Sequence, residues 1–427
     1  MDSKSFLIGV GTTAIVGIGA YYLGVSRIPE PASVPQAQQV VPVPAPATTP
    51  VALAPQDANH VSPALQAQIA RKLAESKQPA VTDLISEKLK FHHFRVGNKN
   101  VKSMLADGPI VWVGTSGGVI RYDTRTDNHK VFDTKTGLLA NGIFHLSKLN
   151  GQLVAGTYGG GLSILDETTE KWKTYNVPEG LADAFVYDML ELDNGDIWIA
   201  TWSGANRIVG GNLDDASAWQ TFTVANTDGG LPNDWVYGLR KGIDGDIWMA
   251  TEGGLAHFKD GEWANWSHKE GLGAPYELVR DQIKFKNDPA EVSAHHARQK
   301  IEMGLEEVDI AYNPNYIVAL AVDDEGIVWA GTWGGGLGRF KNGEWKNYTV
   351  SDGLPSNHVS MLKPAKNGEM WVGSSAGLSL FDGETFRVYT TDDGLFANNV
   401  FSMVVGEDDS LWVGSYGGVA RIFELPD

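Results

Sequence analysis

The stretch Met370-Trp371-Val372-Gly373-Ser374-Ser375-Ala376-Gly377-Leu378 is one copy of a phrase that decides the fold. Each copy is a short apolar strand that ends in a small hydroxyl residue and leads into a glycine-rich turn. The strand segments of the seven copies are Val111–Thr115, Leu153–Thr157, Ile197–Thr201, Ile247–Thr251, Val328–Thr332, Met370–Ser374 and Leu411–Ser415. With Val154 standing in for the one absent Trp, the steps between Trp positions are 42, 44, 50, 81, 42 and 41 residues. A period near forty residues with short apolar strands predicts an all-β propeller.

Each phrase lies inside a larger unit of four predicted strands. The unit around Trp371 shows them at 359–366, 369–374, 378–382 and 385–391. Four strands make one blade, so we predict a seven-bladed β-propeller. Only one strand, Val419–Phe423, fits after the last phrase, while Lys90–Val96 resembles the outer strands of other units and precedes the first phrase. We expect this early strand to pair with the last blade and close the ring, which removes exposed sheet edges.

The phrase and the turn before it resemble a known repeat. Asp352-Gly353-Leu354-Pro355-Ser356-Asn357-His358-Val359 followed by the Trp371 phrase resembles the two-component regulator propeller repeat, as does Asp393-Gly394-Leu395 with Leu411-Trp412-Val413-Gly414. The resemblance covers about residues 90 to 423. It implies a periplasmic propeller of the kind found in the extracytoplasmic sensing regions of hybrid histidine kinases and in some proteins without a kinase. The sequence ends at Asp427 without a kinase or second membrane span, so we do not expect it to signal across a membrane by itself.

Composition narrows the classes of function. A formal charge of -18 and an isoelectric point near 4.9 argue against a nucleic-acid partner, which needs clustered Lys and Arg. The chain has no cysteine, which excludes disulfides, thiolate metal sites and Cys nucleophiles. The pairs His295-His296 and His92-His93 lack the spacing of metal ligands, so we predict no metal and no cofactor.

The amino terminus predicts a membrane anchor. Residues 5–25 form an uncharged apolar run of 21 residues, about the length of a membrane-spanning helix. A cleaved export signal is the alternative. We divide the chain into a membrane anchor at 1–28, a Pro/Ala-rich linker at 29–62, a helical stalk at 63–89 and the propeller at 90–427. Because such a linker suits a head that reaches away from a membrane, we predict a single-pass inner-membrane protein with its propeller in the periplasm.

The candidate site is the mouth of the propeller, where the glycine-rich turns open. The residues after each hydroxyl are Ser116, Tyr158, Trp202, Glu252, Trp333, Ser375 and Tyr416. Those before each innermost strand are Asn100, Gly142, Phe185, Trp235, Tyr316, His358 and Asn399. Amphipathic rings at a mouth suit sugar or peptide stacking. The predicted ligand- or partner-binding mouth comprises Tyr158, Trp202, Trp235, Glu252, Tyr316, Trp333, His358, Asn399 and Tyr416.

An alternative interpretation of the mouth is structural. One position before the second series stand Lys99, Asn141, Ala184, Asp234, Asn315, Asn357 and Asn398, which would line the funnel around the central axis together with the two series. In the alternative interpretation, the Asn residues satisfy tight turns and the Trp and Tyr rings pack on neighbouring loops. The Trp of each phrase is expected to lie in the core between adjacent blades, and the hydroxyl residue to form hydrogen bonds inside the fold.

The long step of 81 residues contains an insertion at 273–314. Its apolar spacing predicts two helices separated by Asn287-Asp288-Pro289, on the same side as the mouth. It would act as a lid or as an arm that docks a partner, and we favour docking.

Three functions remain open. The leading hypothesis is a membrane-tethered periplasmic scaffold or accessory subunit that binds a protein partner in an envelope complex. The second is a ligand-sensing head, for instance for an oligosaccharide, that signals through a separate protein. The third is a lyase-like propeller enzyme. We predict no enzymatic activity because no catalytic constellation can be localised, although His358 and Glu252 at the mouth are the residues on which one would be built.

Overall fold

A computed structural model describes residues 90–284, 288–291 and 294–425. The predicted anchor, linker and stalk lie outside these residues. Within the described part of the chain, no helix has both the length and the apolar character needed to cross a bilayer.

The described residues form antiparallel β-strands arranged in six sheets. The first sheet contains β1 (Phe91–Asp107), β2 (Ile110–Thr115), β3 (Gly118–Asp123), β4 (Asn128–Phe132), β25 (Val400–Val405) and β26 (Leu411–Ile422). The second and third sheets contain β5 (Ile143–Leu149), β6 (Gln152–Thr157), β7 (Leu162–Asp166), β8 (Lys171–Tyr175), β9 (Val186–Glu191), β10 (Ile197–Thr201), β11 (Gly204–Ile208) and β12 (Trp219–Phe222). The fourth, fifth and sixth contain β13 (Val236–Lys241), β14 (Ile247–Thr251), β15 (Gly254–Lys259), β16 (Glu262–Trp266), β17 (Asn313–Val322), β18 (Val328–Trp333), β19 (Leu337–Lys341), β20 (Glu344–Tyr348), β21 (Val359–Pro364), β22 (Met370–Ser374), β23 (Gly377–Phe381) and β24 (Phe386–Tyr389).

The number of sheets corrects the prediction of seven separate four-stranded blades. Five sheets have four strands, but the predicted first and last blades form a single six-stranded sheet in the order β25-β26-β1-β2-β3-β4. The reason is the continuity of β1. Its residues 91–95 pair with β26, its residues 101–107 pair with β2, and the register shifts between Arg95 and Asn100 without ending the strand. The all-β propeller prediction holds, with six sheets in place of seven.

The ring closes as the sequence analysis predicted. Phe91 lies opposite Ile422 and Phe94 opposite Val419, so the first strand of the propeller is hydrogen-bonded to the last. The centre is lined by β1, β5, β9, β13, β17, β21 and β25, each of which contacts the next, and β25 contacts β1. Closure at this point leaves no unpaired edge between the ends of the propeller.

The recurring Gly-Leu turn has a clear physical basis. In one copy, the Asp352 carboxylate accepts a hydrogen bond from the Thr349 backbone N–H at 2.8 Å and caps a short 3-10 turn. Gly353 then adopts a left-handed conformation at φ 98°, and Leu354 is buried. The motif therefore ends an outer strand, reverses the chain and places one leucine in the core.

The Trp and hydroxyl residues of the phrase have the structural roles expected of them. Trp198 of the third sheet is buried against Leu239 and Ile247 of the fourth. The Thr201 hydroxyl donates to the Gly204 carbonyl at 2.7 Å, and Thr115, Thr157, Thr251, Thr332 and Ser374 make the same bond in their own turns. Ser415 donates to Ala397 instead. These hydroxyls close the turns at the mouth.

Within 273–314, two segments are α-helical: α1 (Tyr276–Val279) and α2 (Ala294–Glu302). Val279 and Tyr312 are fully buried, and the Tyr312 hydroxyl donates to the Ala274 carbonyl at 2.7 Å. The Lys300 ammonium contacts Asp288 and donates to the Ile310 carbonyl at 3.1 Å. The insertion therefore has a small core of its own, held together by a buried ion pair.

Candidate ligand-binding mouth

Backbone hydrogen bonds bring the two series of predicted mouth residues together. The residue after the hydroxyl donates its N–H to the carbonyl of the residue before the innermost strand of the same sheet. The pairs are Ser116 with Asn100, Tyr158 with Gly142, Trp202 with Phe185, Glu252 with Trp235 and Ser375 with His358, at 2.8 to 3.3 Å. Tyr416 lies opposite Asn100, and Trp333 forms an isolated bridge to His358. Two positions far apart in each repeat thus become neighbours at the mouth.

Most residues of the series that stands one position before the innermost-strand series have a structural role. The side-chain oxygens of Asn141, Asp234, Asn315, Asn357 and Asn398 each accept a backbone N–H from the turn that follows an outer strand, at 2.6 to 3.0 Å. The alternative interpretation of these residues, that they satisfy tight turns, therefore describes them correctly.

The rings at the mouth form a continuous aromatic arc. Tyr158, Phe185, Trp202 and Trp235 meet edge to face with centroid distances of 4.5, 4.8 and 4.3 Å. The arc continues through His296 of α2, which contacts Trp235 at 5.5 Å and Tyr316 at 5.7 Å. It ends with Trp333, which lies 6.1 Å from Tyr316 and 4.7 Å from His358.

The insertion covers part of this arc. Trp235, Glu252, Tyr316, Trp333 and His358 are all buried. The imidazole of His296 contacts the carboxylate of Glu252, which is 0% exposed. His358 Nε2 lies 2.9 Å from the Ala311 carbonyl, and burial lowers the pKa of its imidazole to about 4 against the opposing effect of that hydrogen bond. At neutral pH His358 is therefore uncharged and donates to Ala311.

Five of the nine predicted mouth residues thus lie under the insertion or beside it. Tyr158, Trp202, Asn399 and Tyr416 are partly exposed. The covering segment is distant in sequence from the residues that it covers, and only the surplus length of one repeat signalled its presence.

An open cleft remains at the edge of the covered area. It has a volume of about 540 Å³ and lies between the turns of the third and fourth sheets and one side of α2. Its lining residues are Trp202, Ser203, Val224, Pro232, Asn233, Asp234, Trp235, Arg298 and Glu302. Arg298 and Glu302 form an exposed ion pair at 2.7 Å, and the Ser203 hydroxyl donates to Asp183 at 2.7 Å. Sequence reasoning identified Trp202 and Trp235 but missed Ser203, Arg298 and Glu302.

The lining of the cleft combines apolar rings with polar groups. The indoles of Trp202 and Trp235 lie among hydroxyl, amide, carboxylate and guanidinium groups, a combination that suits a polar ligand with one apolar face. Among the residues described, no group of three or more His, Asp or Glu side chains is arranged to hold a metal ion.

Comparison with solved structures places the fold among known propellers. An extracellular domain from B. thetaiotaomicron, assigned to the hybrid two component system BT3049, superposes with a TM-score of 0.59 at 21% identity, covering 79% of this chain and 41% of that chain. Streptogramin B lyase gives a TM-score of 0.53 at 15% identity, covering 79% and 97%. YCF48 bound to D1 peptide gives 0.51 at 11% identity, covering 80% and 97%. At these identities the likeness concerns the fold.

The chain spans only about two fifths of the length of the solved extracellular domains from B. thetaiotaomicron that it matches. No protein with a curated description matches the sequence. The sequence model described as Two component regulator propeller matches residues 180–203, 311–334 and 353–376. Each of these stretches spans a mouth residue and the turn or strand next to it. The chain therefore contains two component regulator propeller repeats at these three stretches.

Proposed function

We propose that this propeller is a sensor-type binding head that takes a polar ligand of oligosaccharide size in the cleft beside Trp202. The observation that carries the proposal is the cleft itself. Its volume of about 540 Å³ lies within the range of small-ligand sites. The indole of Trp202 offers a stacking surface for the apolar face of a sugar ring, and Asn233, Asp234 and Arg298 offer hydrogen-bonding groups around it.

The location that we propose is outside the cytoplasm. The apolar run at 5–25 and the Pro-rich stretch after it support an inner-membrane anchor with a spacer. The extracellular domain from B. thetaiotaomicron with the same fold supports a head on the outer side of that membrane. The output that we propose for such a head is a separate membrane protein.

The test is binding of a glycan library to the full chain, followed by calorimetry with the best ligand. We expect Trp202→Ala to weaken binding at least about tenfold, since aromatic contacts are often dominant in binding sites. Arg298→Ala should weaken it by a smaller factor. Arg280→Ala is the matched control, because this arginine lies on the insertion but outside the cleft. Equal affinities for Trp202→Ala and the unchanged chain, with both folded, would reject the cleft as the site.

The docking of a protein partner is a second candidate function, supported by a different observation. Leu278 and Ile301 on the insertion are 67% and 63% exposed, although large apolar side chains are usually buried. We expect Leu278→Glu with Ile301→Glu to prevent recovery of a partner from solubilised membranes. Ile243→Glu is the control, since Ile243 is 69% exposed at a hairpin outside the insertion. Recovery of the same partner by both variants would exclude docking through the insertion.

An enzymatic role has less support. The two candidate catalytic residues of the mouth, His358 and Glu252, are buried and contact the insertion. Neither lines the open cleft.

A further inference from the structure

The centre of the propeller holds a second site with different chemistry. The innermost strands enclose a cavity of about 280 Å³. Three cationic side chains line it, namely Lys102, Arg240 and Lys363, together with one carboxylate, Asp188, and the imidazole of His145. Three positive charges and one negative charge give a formal balance of +2 in a chain whose formal charge is -18. The cavity therefore differs in sign from the protein around it.

The carboxylate of Asp188 already has four polar partners. Its Oδ1 lies 2.8 Å from His145 Nδ1 and accepts the Met189 N–H at 3.0 Å. Its Oδ2 accepts Arg240 at 2.8 Å and the Leu239 N–H at 2.9 Å. Burial alone would raise the pKa of this carboxyl, but the charge of Arg240 and the hydrogen bond with His145 hold the pKa well below its usual range. Asp188 thus stays ionised and pairs with Arg240.

Burial disfavours the charged form of both lysines. It lowers the pKa of Lys102 to about 7, although the Lys102 ammonium lies 4.9 Å from the centre of the Phe144 ring, a contact that favours a cation. Burial also lowers the pKa of Lys363, and repulsion by the nearby Arg240 lowers it further. An anion in the cavity would favour the charged form of both lysines.

The placement of the cations follows from their positions on the strands. Lys102 follows Val101, the residue at which the pairing of β1 with β2 begins. The second residues of four other innermost strands lie at the same level of the cavity, namely Phe144, Tyr187, Tyr237 and Phe401. Phe144 contacts Tyr187 at 4.7 Å and Tyr187 contacts Tyr237 at 4.9 Å, so rings surround this level. Arg240 and Lys363 lie three residues further along their strands, about 10 Å away at the usual rise of a strand.

From these three cations on the wall of one cavity, we propose that the central cavity binds a small oxyanion, a carboxylate, sulfate or phosphate group, between Lys102 on one side and Arg240 with Lys363 on the other. The site is separate from the cleft beside Trp202, which contains none of these residues. An oxyanion carries both a negative charge and acceptor atoms, with which ammonium and guanidinium groups form charge-assisted hydrogen bonds.

The test is calorimetric titration of the full chain with sulfate, phosphate and acetate at millimolar concentration, against chloride at equal ionic strength. We expect saturable binding of at least one of the three oxyanions and none of chloride. Lys363→Gln should weaken that binding at least about tenfold. Lys341→Gln should leave it unchanged, because this lysine pairs with Glu325 at an exposed hairpin. Absence of saturable oxyanion binding, or equal affinity in Lys363→Gln and Lys341→Gln, would overturn the proposal.

Lys102→Met separates binding from a structural role. Methionine has a similar length and no charge to desolvate, so the variant should unfold at a higher temperature than the unchanged chain in the absence of oxyanion. It should also bind the oxyanion at least about tenfold more weakly. A variant that is less stable and keeps its affinity would show that Lys102 serves only the fold. Trp202→Ala should bind the oxyanion normally, which distinguishes this site from the cleft.

Discussion

At the residue scale, Asp188 connects neighbouring sheets at the centre of the ring. It belongs to β9, and its four donors come from β5, β9 and β13, so a single carboxylate joins three inner strands. Removing one partner from a buried ion pair usually costs more than the pair contributes, because the remaining charge is left uncompensated. We expect Asp188→Asn to lower the free energy of unfolding by about 3 kcal/mol or more.

Urea unfolding followed by tryptophan fluorescence measures this effect. Asp193→Asn is the matched control, since this carboxylate is 89% exposed and pairs with Lys241 at the surface. It should leave the unfolding curve unchanged within error, because exposed ion pairs contribute little. Similar destabilisation by the two variants would mean that Asp188 has no special role in joining the strands.

A second residue-scale prediction concerns pH. His358 has a folded pKa of about 4, below the ordinary value of 6.5, so the folded protein binds fewer protons than the unfolded chain between these values. Unfolding then takes up a proton, and stability falls as the pH decreases from 6.5 to 4. The loss should approach about 3 kcal/mol, at about 1.4 kcal/mol for each pH unit.

Urea unfolding at pH 7 and pH 4.5 tests this prediction by comparison with His358→Gln. The variant cannot take up that proton, so its stability should fall less on acidification than that of the unchanged chain. Parallel pH profiles for the two proteins would show that His358 does not cause the loss.

At the element scale, the glycine-rich turn is the unit that builds the mouth. Gly204 follows Thr201 and Trp202 at φ +117°, and a Cβ atom there would lie 2.2 Å from the Phe222 carbonyl oxygen. Gly195, in the hairpin at the other end of the same strand, has φ +84° with open space around it. Alanine at either position is strained, but only at Gly204 does it also collide with backbone.

We therefore expect Gly204→Ala to destabilise the protein by at least about 2 kcal/mol more than Gly195→Ala, as measured by urea unfolding. The comparison cancels the cost of a positive φ and leaves the cost of the collision. Equal losses of stability would mean that strand β12 moves freely away from the turn.

The elements were largely predictable from the sequence because each follows from local chemistry. The strands predicted around Trp371 lie within a few residues of β21 to β24, and Gly195 and Gly245, which follow Asn194 and Asp244 in hairpin turns, have positive φ. The covering of the mouth was not predictable in this way. His296 and Glu252 belong to different elements, and no local pattern indicates that their side chains meet. The predicted aromatic residues lie next to one another, but five of the nine predicted mouth residues are buried, and their role in binding stays a prediction.

At the scale of the whole molecule, the repeat count predicted the ring and its closure but not the number of sheets. Counting phrases assumes that each repeat forms its own sheet. β1 breaks that assumption because one strand pairs with β26 through its first half and with β2 through its second half. Hydrogen bonding across the junction is a property of three-dimensional geometry, and the spacing of the repeats carries no information on it.

The closure itself predicts a crosslink. His92 lies opposite Arg421 in the pairing of β1 with β26, and opposite residues of antiparallel strands are close enough for a disulfide. The chain has no cysteine, so a pair introduced by His92→Cys with Arg421→Cys has no competing thiol. We expect this pair to oxidise and to raise the free energy of unfolding by about 3 kcal/mol, because it joins the two ends of a very long loop.

The pair His93→Cys with Arg421→Cys is the control, since a shift of one residue turns the first side chain to the other face of the sheet. Both pairs lose the contact of Arg421 with Asp408, and the control pair also loses the hydrogen bond between His93 Nε2 and the Gly394 carbonyl, so each pair is compared with its own reduced form. Thiol titration and unfolding under oxidising and reducing conditions distinguish the two, and equal crosslinking would contradict the register that closes the ring.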